Sequence, residues 1–110
     1  MSATQLTAFF GDRERTFELR ADLLPELERV TGAGIGELSR RVCGGSFRYA
    51  DLTEVIRIGL LGGGETPENA AALVKVYCQG QPLNASHALA VAILDALWSG
   101  GTEEGDSDDD

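Results

Sequence analysis

Residues 51–69 read DLTEVIRIGLLGGGETPEN, and the fold turns on whether the glycines here end a helix or cradle a phosphate. Leu52, Val55, Ile56, Gly59 and Leu60 fall at i, i+3, i+4, i+7 and i+8, which is one face of an amphipathic helix. A phosphate loop needs a buried strand feeding into its glycines and a Lys with a hydroxyl residue after them. Here a helix precedes Gly62, Gly63 and Gly64 and no such Lys follows, so the glycines stop the helix and connect it onward. A run of three also leaves the connector free to adapt to a partner. Thr66, Pro67 and Glu68 then restart a helix: a capping hydroxyl, a proline at the first helical position and an acid near the positive end of the helix dipole.

Moving towards the N-terminus, TGAGIGELSRR at 31–41 has the same rhythm and the same answer. It follows a short helix in which Leu23, Leu24, Leu27 and Val30 share a face and Asp22 is the expected N-cap. Gly32 closes that helix; Ile35, Leu38 and Val42 mark the next one, stopped by Gly44 and Gly45. SFRYAD then leads to Asp51 as the expected cap of the helix quoted above. Ahead of all this, TQLTAFF and TFELR are strand-like runs about a turn containing Gly11 and Asp12. Phe17 and Leu19 alternate with Glu18 and Arg20, as in a ribbon with one dry face.

Towards the C-terminus, Ala70, Leu73, Val74 and Tyr77 face inward on the helix begun at Thr66. ASHALAVAILDALW is apolar nearly all round and reads as a central helix, with Asn84 or Ser86 as its cap. The predicted fold is α+β: an N-terminal β-hairpin packed on a small bundle of about four to five helices. Residues 1–100 form one domain, and 101–110 (GTEEGDSDDD) form a disordered acidic tail.

The formal charge of -9 is concentrated there, because the tail holds six of the 18 acids and leaves 12 against nine basic residues in the body. Only Arg40 and Arg41 adjoin as a basic pair, so no nucleic-acid partner is expected. No run is long and apolar enough to span a membrane, and the N-terminus has no secretory pattern, which places the chain in the cytoplasm. Cys43 and Cys78 have no metal or redox spacing and read as small, buried, reduced hydrophobes. The single histidine, His87, lies near the start of the last helix, and its neighbour Ser86 points elsewhere on that helix. No catalytic set, metal set or cofactor site is expected.

FELR, ADLLPELERVTGAGIGELSRR, YADLTEVIRIGLLGGG and NAAALVKVYCQGQPLNASHALAVAILDALWSG follow one another in a distinctive order. The series, over about residues 9–100, resembles the tail assembly chaperone family of tailed phages, in the branch found in gene transfer agents and prophages. It rests on Leu27 and Glu28 with the turn at Gly32 and Gly34, on the Asp51–Gly64 helix, and on the small-residue helix closed by Gly100. The resemblance implies a non-enzymatic chaperone that binds the tape measure protein, helps recruit tail tube protein during tail morphogenesis, and is absent from the mature particle. The alternative is a general protein–protein adaptor or an antitoxin-like module.

A helix-in-groove mode of capture would suit either role, with Leu60, Leu61, Leu89, Ile93 and Trp98 as the candidate groove residues. Leu61 lies off the main stripe of its helix, and the last helix has more apolar surface than a two-layer domain must bury. Self-association through an open hairpin edge is a further expectation.

Overall fold

The computed structural model describes residues 3–100. Strands β1 (Gln5–Phe10) and β2 (Arg13–Glu18) form an antiparallel hairpin. A single 3-10 turn at Ala21–Leu23 leads into α1 (Leu24–Thr31), followed by α2 (Ile35–Gly44), α3 (Tyr49–Gly62), α4 (Pro67–Tyr77) and α5 (Leu83–Ser99). The expected α+β class is the observed one, a hairpin on five helices; the tail at 101–110 lies outside the described residues.

Phe10 pairs with Arg13, so the turn is Gly11 and Asp12 alone, and Arg13 to Arg15 belong to the strand. Gly11 takes a left-handed φ of 76°, as tight hairpin turns require, and the Tyr77 ring lies against it where a side chain would otherwise stand. The register puts Leu6, Ala8, Phe10, Arg15 and Phe17 on the face towards the helices. Gln5, Thr7, Phe9, Glu14, Thr16 and Glu18 share the other face.

Phe17 and Leu19 meet Leu27, Leu38, Leu52, Ile56 and Ile93 in one core cluster. α3 runs through its middle, touching β2, α1, α4 and α5, and α5 packs on α3, α2 and both strands. A short two-stranded ribbon is marginal by itself, and this one is held because its apolar face is sealed by α3 and α5.

The triple glycine is more than a connector. A Cβ built on Gly62 would lie 1.8 Å from the Glu18 carbonyl oxygen, and one on Gly63 would lie 1.9 Å from that of Thr16. The last turn of α3 therefore rests directly on the outer edge of β2, an approach only glycine permits.

Several helix starts differ from expectation. Asp22 does not cap α1; it sits in the 3-10 turn and accepts from Arg20 at 2.8 Å. α3 begins at Tyr49, making Asp51 its third residue, which accepts the Arg48 backbone N–H at 2.8 Å as one half of a capping box. α5 begins at Leu83 after Pro82, so neither Asn84 nor Ser86 caps it. Thr66 does cap α4, accepting the Asn69 N–H at 3.1 Å, and Gly32 and Gly45 end α1 and α2 with φ of 72° and 88°.

Candidate partner-binding surface

His87, Ser86 and Cys78 are engaged within the fold. His87 Nε2 lies 2.8 Å from the Val42 carbonyl oxygen, and its ring stacks on Phe47 with centroids 4.9 Å apart. A carbonyl only accepts, so Nε2 carries the proton and ties α5 to α2. Ser86 turns instead towards Cys78, and burial pushes the Cys78 thiol up while the Ser86 hydrogen bond partly opposes it. The two cysteines part company with the sequence reading: Cys78 is buried, but Cys43 is exposed, and both are free. Among the described residues no three His, Cys, Asp or Glu side chains gather as metal ligands, and no helix is long and apolar enough to cross a membrane.

The buried charges are also structural. Asp51 accepts from Arg41 at 2.9 Å and from Arg48 at 3.2 Å, and Arg48 also donates to the Thr31 carbonyl, which joins the ends of α1 and α2 to the start of α3. Glu28 reaches across the α1–α2 turn to accept the Ile35 N–H at 2.8 Å, capping α2 from the preceding helix. Arg15, on the dry face of the hairpin, donates to the Phe10 carbonyl at 3.2 Å, to Asp12 at 2.9 Å and to Glu65 at 3.4 Å. It clips the hairpin tip to the α3–α4 loop.

The five candidate groove residues do not form one groove. Leu60 and Ile93 are sealed in the core, at 0% and 1% exposure, and so present no surface. α3 and α5 pack on each other, with Ile93 against Gly59, and that contact buries part of the apolar surface read from the sequence. Leu61 is half-buried against the same core. Leu89 and Trp98 reach two separate clefts. Leu89 lines one of about 430 Å³ with Phe9, Phe10, Gly11, Tyr77 and Ala85, between the hairpin tip, the end of α4 and the start of α5. Trp98, 61% exposed, lies over a second of about 410 Å³ between α2 and α5, lined by Cys43, Ala88, Val91 and Asp95. Its indole N–H donates to Ser39 Oγ at 2.8 Å, which fixes the ring over the cleft.

Phe9, at 67% exposed, and Leu83, at 49%, add apolar surface that the sequence reading missed. Phe9 could have been found by alternation: Leu6, Ala8 and Phe10 take the dry face, so Phe9 must take the wet one.

The fold is thus a hairpin-and-helix body that leaves large apolar side chains, Phe9, Leu83 and Trp98 among them, on its surface. The chain belongs to a known family described as "phage tail tube protein, GTA-gp10", which matches residues 3–100. No curated protein and no solved structure matches it.

The tail-related part of the resemblance therefore stands, and the chaperone part does not. The matched family is that of a tube subunit, a structural part of the tail, which overturns the reading as a tape-measure-binding chaperone. The residues that carried the resemblance explain the error. Leu27 is core, Glu28 caps α2, and Gly32, Gly62 and Gly63 shape turns and close approaches. They specify how the chain folds and say nothing of which tail component it meets.

Proposed function

We propose that this chain is a non-catalytic subunit of a phage or gene-transfer-agent tail, made in the cytoplasm of the producing cell and joined to tail tube subunits through its apolar surfaces. Membership of the tail tube family over residues 3–100 carries the reading. It is supported by the two clefts and by the exposed Phe9, Leu83 and Trp98, which give the body more than one face for contact. The structural employment of His87, Ser86 and Asp51 agrees with a role that needs no bond-making chemistry. Absence from the finished particle was an implication of the chaperone resemblance and loses its basis with it; a tube subunit belongs in the particle.

The test is to purify tails from producing cells, quantify this chain in them by mass spectrometry, and image tails from cells lacking its gene. The chain is expected to co-purify with tails at a fixed ratio to the other tube components, and its loss is expected to leave no tube. Tails of ordinary length assembled without it would sink the proposal.

A further inference from the structure

The two edges of the hairpin are treated differently. In a two-residue hairpin closed by Phe10 and Arg13, these residues exchange both backbone bonds, as do Ala8 with Arg15 and Leu6 with Phe17. The N–H and C=O groups of Gln5, Thr7 and Phe9 therefore point away from β2, and those of Glu14, Thr16 and Glu18 point away from β1. On the β2 side, the outward carbonyls of Thr16 and Glu18 meet Gly63 and Gly62 at the end of α3. On the β1 side, the outward groups of Gln5, Thr7 and Phe9 have no hydrogen-bond partner among the described residues.

β1 also lacks the devices that usually blunt an open edge. It has no charge, no proline and no bulge, whereas β2 carries Arg13, Glu14, Arg15 and Glu18. Beside the tip half of this edge opens the cleft lined by Phe10, Tyr77, Ala85 and Leu89.

We propose that the free edge of β1 accepts an extended segment of another tail protein as a third strand, with its apolar side chains in the adjoining cleft and Lys or Arg at the positions between. Alternation in a strand sends every second side chain to the helix side, where the cleft stands, and the others to the side of Gln5, Thr7 and Phe9. That outer side holds Glu14 and Glu18, on β2 beyond Phe9 and Gln5, and no basic residue among the described residues, so long cations on the added strand reach across β1 towards complementary charge. A second copy of this chain is the poorer occupant: its formal charge of -9 repels, and antiparallel β1–β1 pairing would crowd two helical layers onto one face of the sheet. The inference rests on the reading of the chain as a tail component, because it takes its partner from the tail.

The experiment uses the full chain and an eight-residue peptide alternating valine and lysine, with a valine–glutamate peptide as control. Amide hydrogen exchange and a fluorescence titration report on binding. With the lysine peptide, the amides of Gln5, Thr7 and Phe9 are expected to slow at least tenfold, with binding at least tenfold tighter than for the glutamate peptide at low salt. Thr7→Pro removes an outward N–H that takes no part in the hairpin, and is expected to weaken binding at least tenfold while the circular dichroism spectrum is kept. Thr7→Lys, which keeps the N–H but adds repulsion, serves if the proline variant fails to fold.

The proposal is overturned if the lysine peptide does not bind, if its binding ignores both Thr7 variants, or if the three amides stay fast at saturation. Slowing of the same amides with protein concentration alone, without peptide, would assign the edge to a second copy and overturn it too. None of these outcomes touches the presence of the chain in tails, which is measured separately. Tails that assemble normally with Thr7→Pro would remove this inference and leave the tube reading intact.

Discussion

Asp51 has no exposed surface yet is held as an anion, and the donors around it decide that state. Burial works to raise its carboxyl, but the Arg48 N–H and the Arg41 and Arg48 guanidinium groups outweigh it and hold it below the ordinary value of 3.8. A carboxylate depressed in the folded state contributes stability above its unfolded value, and that contribution is lost as pH falls through the folded one. Asp51→Asn should therefore cost about 2 kcal/mol near neutral pH, since it strands Arg41 beside a neutral group. The gap between variant and parent should narrow below pH 3.8, where the parent itself loses the interaction. Urea melts of both proteins at neutral and acid pH measure this; a gap that stays constant would show that the charge plays no part. At the same scale, His87→Gln retains an N–H that can reach the Val42 carbonyl but gives up the Phe47 stacking. It should lower stability by about 1 kcal/mol and leave tail assembly intact, as thermal melts and tail counts would report.

Among elements, the contact of α3 with β2 is the least forgiving. Gly63→Ala drives a methyl to 1.9 Å from the Thr16 carbonyl oxygen, so strand and helix must separate, at a cost of about 2–3 kcal/mol. Gly44→Ala is the matched control: it also ends a helix, has nothing within 4 Å, and should be neutral or stabilise by up to about 1 kcal/mol. Equal melting temperatures for the two variants would contradict the close approach. This contact also marks where reading the sequence gives out. The stop at Gly62 to Gly64 was legible, because helical spacing ends there, but a sequence does not say which backbone comes to rest on a glycine 44 or 47 residues away in the chain, as Glu18 does on Gly62 and Thr16 on Gly63. Local signals survived where local physics decides: the Thr66 cap, the Gly32 and Gly45 stops, and the alternation of Phe17 and Leu19. They failed where another element supplies the partner. Glu28 replaces a local cap for α2, and Leu60 and Ile93 are sealed in the core, with Ile93 against Gly59 of α3, instead of awaiting a guest. Arg15 is the instructive case, for its place two residues before Phe17 put it on the dry face, but its partners Asp12 and Glu65 come from the turn and from a distant loop.

At the scale of the molecule, a subunit needs surfaces on more than one side if contacts are to propagate along a tube, because a single self-complementary patch closes after two copies. The cleft at Leu89 lies at the hairpin–α4–α5 junction and the cleft at Trp98 between α2 and α5, and under the proposed function they are the candidate faces for such contacts. Trp98 is the sole tryptophan, so its fluorescence reports on one cleft alone. Its emission should be that of a solvent-exposed indole in the free chain and should shift to shorter wavelength when purified tube subunits are added, and no shift on formation of a complex would place the contact elsewhere. Removing residues 101–110 takes away six of the 18 acids and reduces the formal charge from -9 to -3, but it removes no apolar residue. The melting temperature should change little, since every core residue lies within 6–96. Like-charge repulsion between neighbouring copies should fall, so the truncated chain should associate at lower concentration in low salt and match the parent once about 0.5 M salt has screened both. Sedimentation velocity at the two salt concentrations measures this directly, and an association that ignores both truncation and salt would mean that the segment does not repel at the contacts formed.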